Sequence, residues 1–174
     1  MTGNTYSGGT VITNRGVVYL DSDGLGAVPA SPAASNVFVN NGVIRGASAT
    51  VNLNANRGIA VGPLGATIHE WSTGFLNING NLSGSGKISL TDTGPVSFLG
   101  TNNVFTGAVD LNVGTAAFLN IGNGSRFSWS SSADITGVNQ GGTLALNNAE
   151  EKTFSAPVKN AFALVKRGNG VLNM

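Results

Sequence analysis

The residues that could do chemistry are few and scattered. His69 is the only histidine, and Glu70 and Trp71 follow it directly. On a strand, neighbouring side chains point to opposite faces. His69 and Glu70 therefore cannot work as a dyad, and His69 is expected to be an exposed polar position with no Ser-His-Asp set built around it. There is no cysteine, so thiolate nucleophiles, thiolate metal sites and disulfides are excluded, and one histidine cannot make a histidine-rich metal site. The stretch "DSDG" (21–24) starts like a calcium loop but lacks the further acidic ligands and the terminal Glu, so it reads as a turn after a strand. "GSGKIS" (84–89) has Asn81 where a phosphate loop needs its first Gly and Ile88 where it needs Ser or Thr. Cleavage of polysaccharides needs convergent acids. Only eight Asp and Glu residues exist, and Asp21, Asp23 and Asp92 are the ones that could meet. The reading is therefore of a chain with no catalytic residue, no cofactor and no metal, and not an enzyme.

The composition sets the frame for positioning any such residue. The 174 residues are enough for one domain with a substantial core. Charged residues make up 10%, the net charge is +1, and no basic field for nucleic acid is present. Hydrophobic residues make up 41%, which separates this low-charge chain from a disordered one. No apolar run reaches the roughly 18–20 residues of a membrane helix. No secretory signal is visible at the start, so an exported protein is expected here as a mature fragment or one module of a longer chain.

Apolar residues alternate in short runs: "VFVNNGVI" (37–44), "ATVNLN" (49–54), "FLNINGNL" (75–82), "KISL" (87–90), "PVSFL" (95–99) and "TLALNN" (143–148). Period-two alternation bounded by Gly and Asn predicts strands. Asn-Gly pairs at 41–42, 79–80, 123–124 and 169–170 predict turns, because both residues accept positive φ. "AVPASPAAS" (27–35) is expected to be a surface loop, and "NNAEEKT" (147–153) an exposed turn.

Two gapless matches suggest internal repetition. Residues 4–21 align with 103–120, where Tyr6 meets Phe105 and Tyr19 meets Phe118. Residues 65–98 align with 141–174, where Ile68 meets Leu144 and Phe98 meets Met174. The chain reads as one domain of two divergent units, about 1–98 and 99–174, the first carrying an insertion. Short strands repeated without helices predict a β-solenoid, in which stacked coils share a core that no coil can bury alone. Asn at equivalent turns is expected to form hydrogen-bonded ladders, which accounts for the 22 Asn residues. A coil of roughly 20–25 residues gives about seven or eight coils, a rod on the order of 35–40 Å at ~4.8 Å per coil.

"GNTYSGGTVITNRGVVYLDSDGLG" (3–26) resembles the signature of the autotransporter passenger-associated repeats. "NRGIAVGPLGATI" (56–68), "NLSGSGKISL" (81–90) and the stretch 141–174 resemble further segments of those repeats, and the resemblance covers nearly the whole chain. The second unit departs from the signature at Val104-Phe105 and Ala108. The resemblance implies an all-β, right-handed parallel β-helix on the extracellular or outer surface of a Gram-negative bacterium. It also implies a stalk, adhesin or carrier for effector domains, with a downstream barrel that this sequence does not contain.

The residues left for binding are aromatic. Trp71, Trp129, Tyr19 and Phe127 offer ring faces to sugars or proteins. Trp71 and Trp129 are the candidate ligand contacts; stacking in the core is the alternative, and for Tyr19 the aligned Phe118 favours it. Tyr6 is likewise expected to fill a coil. The expected partners are a host-surface or glycan ligand, or a second copy stacked end to end through open strand edges into filaments. Nucleic acid is not expected.

Overall fold

The computed structural model describes the chain except residues 1–3, 48–49, 72, 93, 113–117, 127, 130, 139–141 and 161–162. Among the described residues it is all-β with no helix, and parallel sheets stack as a β-solenoid of about six turns. No helix among them is long and apolar enough to cross a membrane.

The strands follow the alternating runs. They are β1 (Thr10–Thr13), β2 (Val17–Leu20), β3 (Ala33–Asn40), β4 (Gly42–Gly46), β5 (Val51–Leu53), β6 (Arg57–Val61) and β7 (Ala66–Glu70). Then come β8 (Leu76–Ile78), β9 (Leu82–Gly84), β10 (Ile88–Thr91), β11 (Val96–Phe98), β12 (Val109–Asn112) and β13 (Phe118–Ile121). The last are β14 (Ile135–Val138), β15 (Thr143–Asn147), β16 (Lys152–Thr153), β17 (Val158–Lys159), β18 (Ala163–Arg167) and β19 (Leu172–Asn173). Consecutive strands always lie in different sheets. The first face holds β1-β3-β6-β9, the second β2-β4-β7-β10-β12-β14-β17, and the third β5-β8-β11-β13-β15-β18. A separate two-stranded sheet pairs β16 with β19.

Parallel in-register stacking puts like residues over like. Ile44, Ile68, Leu90 and Leu111 form one inward column of the second face. Leu53, Ile78, Phe98, Ile121 and Leu146 form another on the third, each fully buried. Burying such a side chain contributes roughly 1.5–3 kcal/mol, and the columns merge into one core. Turns touch backbone to backbone at the corners: a Cβ added at Gly80 would sit 1.7 Å from the Arg57 carbonyl oxygen, so only glycine fits there.

Several expectations change. The run 37–44 is two strands, broken at Asn41 with φ 59°, which turns the chain from the first face to the second. Residues 33–35 of the expected Pro-rich loop belong to β3, entering it through a register shift between Ala33 and Val37. The turns number about six rather than seven or eight. Hydrogen-bonded partners in adjacent turns lie 21 to 26 residues apart, close to the assumed coil, but residues 21–32 run outside the ladders and add chain without adding a turn. The sequence matches join strands on different faces: Ile68 lies in β7 on the second and Leu144 in β15 on the third. All three faces demand the same alternation, so a match in pattern does not select a face.

Asparagine serves mostly as a corner cap. Asn77 donates to the Asn52 side chain at 2.9 Å, which is a rung of the expected ladder. Others reach backbone groups of the next turn, as when Asn103 accepts from the Leu82 amide at 2.7 Å and donates to the Ser128 carbonyl at 2.8 Å. The expected exposed turn at 147–153 does hold both glutamates in solvent, but Asn148 is fully buried, donating to the Val171 carbonyl at 3.0 Å.

Candidate functional site

The outer side of the second face carries the candidate site. Tyr19, Arg45, His69 and Thr91 stand in one outward column of β2, β4, β7 and β10. They point outward because their neighbours Ile44, Ile68 and Leu90 point in. Trp71 follows β7 at the corner toward the third face, held by its amide on the Gly46 carbonyl at 3.1 Å.

Arg45 is clamped between two rings. Its guanidinium carbon lies 3.5 Å from the Trp71 ring centroid and 5.2 Å from that of Tyr19. Its Nη1 donates to the Tyr19 hydroxyl at 3.2 Å. Such ring–cation contacts contribute about 0.5–1 kcal/mol when exposed. Trp71 and Tyr19 nonetheless keep 59% and 51% of their surface in solvent, so ring area is left for a partner. Arg45 has no carboxylate partner among the described residues, and its Nε is buried without a hydrogen bond.

His69 departs from expectation. It is 9% exposed, flanked in its column by Arg45 and Thr91, because an outward side chain in a stacked sheet is walled in by the turns on either side. Its Nδ1 pairs with the Asp92 carboxylate, and its Nε2 is buried without a partner. Burial holds its pKa below the ordinary histidine value; Asp92 and Glu70 pull it up and Arg45 pushes it down. Glu70 is not on solvent either: it is fully buried, and a Cβ added at Gly46 would sit 1.7 Å from its Oε2. The two neighbours face opposite ways, as expected, but both are enclosed.

The remaining candidates separate. Trp129 is half-buried, stacked on Phe98 at 6.2 Å and 3° and tilted against Phe105 at 5.6 Å, so its ring joins the core. Phe127 lies outside the described residues. Tyr19 is not a core residue, and neither is Tyr6 at 44% exposed. Tyr6 packs over the loop at Gly26 and bonds Thr10 through its hydroxyl at 2.7 Å. The aligned Phe118 is itself outward on β13, so that comparison misassigned Tyr19.

Asp21, Asp23 and Asp92 do not form one acidic cluster with a shared partner: Asp23 is bound by Arg57 and Asp92 by His69. No group of three or more His, Cys, Asp or Glu among the described residues could hold a metal ion. The "DSDG" stretch is a turn, as read, but a built one. Arg57, fully buried, donates to Asp23 at 2.6 Å, to Asn36 and the Leu25 carbonyl at 2.8 Å, and to the Gly26 carbonyl at 2.6 Å. Neither this arginine nor Arg45 stood out in the sequence. The signal that finds the His69–Asp92 and Arg45–Tyr19 pairs is a spacing near one turn: 23 and 26 residues.

Against this geometry, no protein-family model, no curated protein and no solved structure matches the chain.

Proposed function

We propose that the chain is a non-catalytic structural and adhesive module of a secreted or cell-surface passenger of a Gram-negative bacterium. The observation that carries this reading is the Tyr19–Arg45–Trp71 stack. Two rings more than half in solvent are ordered around a cation on the flank of a rigid solenoid. Aromatic and arginine side chains fixed in place lose little entropy on binding, which suits them to contact a glycan or a protein surface. The resemblance to autotransporter passenger repeats supports the location. The test is capture of the purified chain on a glycan array and on host-cell surface material, with Trp71→Ala and Arg45→Ala beside the parent. Capture lost in both variants supports the reading; no capture by any form leaves a scaffold and removes the adhesive part.

A second reading, end-to-end association into filaments, is favoured by exposed apolar side chains on or next to the outermost strands. Val11 and Val17 are 67% and 45% exposed at one end, Leu164 and Val171 42% and 57% at the other. A further turn, from this polypeptide or from a second copy, would cover them. Sedimentation and electron microscopy at rising concentration test it, and a monomer throughout would sink it.

A further inference from the structure

The third face holds a second surface, distinct from the Trp71 stack. Its outward residues fall into rows across the strands. Asn77, Ser97, Asn120 and Ala145 form a middle row, with Asn147 and Arg167 in the row beside it. Phe75 and Phe118 flank the middle row on the other side. Arg167 reaches across, its guanidinium carbon 4.7 Å from the Phe118 ring centroid. The result is a groove of about 280 Å³ whose floor is buried although it faces outward: Ser97 is 6% and Asn120 8% exposed.

We propose that this groove binds a carbohydrate chain bearing carboxylates. Three features argue for that occupant. The floor presents an unmet acceptor: Asn120 Nδ2 donates to the Gly122 carbonyl at 2.9 Å, while its Oδ1 is buried and has no partner. A buried acceptor left unpaired costs ~1–3 kcal/mol, and a sugar hydroxyl is a donor of the right size to meet it. The wall presents ring faces, Phe75 being 45% exposed, and rings accept the C–H faces of pyranoses. The charge is one-sided: the lining includes Arg167 and no Asp or Glu, and Arg167 has no carboxylate partner among the described residues. A guanidinium whose plane is held over a ring keeps its N–H edge for a carboxylate. The larger groove at the corner of the first and second faces, about 350 Å³, is also lined by cations, Arg15 and Lys87, but it lacks this combination because no aromatic ring lines it and its Lys87 is paired with Asp110 at 2.7 Å.

The proposal rests on the adhesive reading but on other residues, so the two can fail separately. The intact chain is titrated calorimetrically with an oligogalacturonate, with its neutral methyl ester, and with a sialylated oligosaccharide. Binding of one acidic sugar, at least tenfold tighter than the ester or a desialylated control, is expected. Arg167→Gln, at an exposed position, should erase that preference. Asn120→Leu and Phe118→Ala should each weaken binding about tenfold, with thermal melts confirming the fold. Lys159→Gln, at an exposed position of the second face away from both the groove and the Trp71 stack, should leave the titration unchanged. No binding of either acidic sugar, equal binding of acid and neutral forms, or loss through Trp71→Ala alone would each overturn the groove. The last of these would keep the adhesive reading at the Trp71 stack.

Discussion

Arg57 begins β6 on the first face, Arg45 lies in β4 on the second, and the two do opposite work. Arg57 has no exposed surface, and its donors are met by Asp23, Asn36 and the carbonyls of Leu25 and Gly26. It is the centre around which the irregular segment after β2 folds. Arg45 is held by rings rather than acceptors, and its stack faces solvent. One guanidinium replaces a missing piece of ladder; the other is displayed. The difference lies in what each turn offers nearby. A wide loop leaves carbonyls with no strand to pair with, and an enclosed cation can gather them. A regular column offers only side chains of the turns above and below.

The largest effect should come from breaking the buried centre. Arg57→Ala takes a donor from Asp23, Asn36 and two carbonyls, and is expected to cost about 3–5 kcal/mol in denaturant unfolding. A loss under about 1 kcal/mol would mean that the loop is held by something else. Asp23→Ala removes one of several acceptors, and Asp23 also accepts from the Asn54 amide at 2.9 Å. Its cost should be smaller, about 2–3 kcal/mol, by the same measurement. If it matched Arg57→Ala, the ion pair alone would carry the loop.

Arg45→Ala sharpens the comparison from the other side. It should cost about 1 kcal/mol or less in stability, while shifting the emission of Trp71, which loses its guanidinium cover. Arg45→Lys should not restore the parent spectrum, because an ammonium cannot lie flat between two rings. An Arg45→Ala loss as large as that of Arg57→Ala would erase the distinction.

The strands were legible in the sequence because alternation is what a stacked coil demands: Val37 and Val39 point in, Phe38 between them does not. The faces were not legible, since three sheets impose one pattern, and so Tyr19 and Phe118 were matched correctly as residues and wrongly as core. The site was legible only in part. Trp71 was singled out as a ring that could face solvent, and it does. Its partner Arg45 was invisible, because the contact depends on the length of a turn. Ring size alone also put forward Trp129, which packs onto Phe98 and Phe105 across turns. Local sequence reports which way a side chain points, but its cover comes from residues about a turn away.

The smallest expected effect is a dependence of stability on pH through His69. Burial is the largest cause of its lowered pKa; Arg45 lowers it further, and Asp92 and Glu70 oppose. In the unfolded chain the ring takes a proton near the ordinary value of about 6.5. In the folded chain it does so only at lower pH. Between those points the unfolded state holds more protons, so stability falls as pH drops through the window and is flat above it. The denaturation midpoint should therefore decline on acidification below about pH 6.5, and His69→Gln should remove that part of the decline. Arg45→Ala takes away one of the groups that lower the pKa, so it should shrink the decline, while Asp92→Asn takes away a group that raises it and should steepen it. A midpoint that rose on acidification would mean that the Asp92 pairing outweighs burial and that the ring is charged in the native state. That result would turn the display surface around Arg45 into one with a second cation.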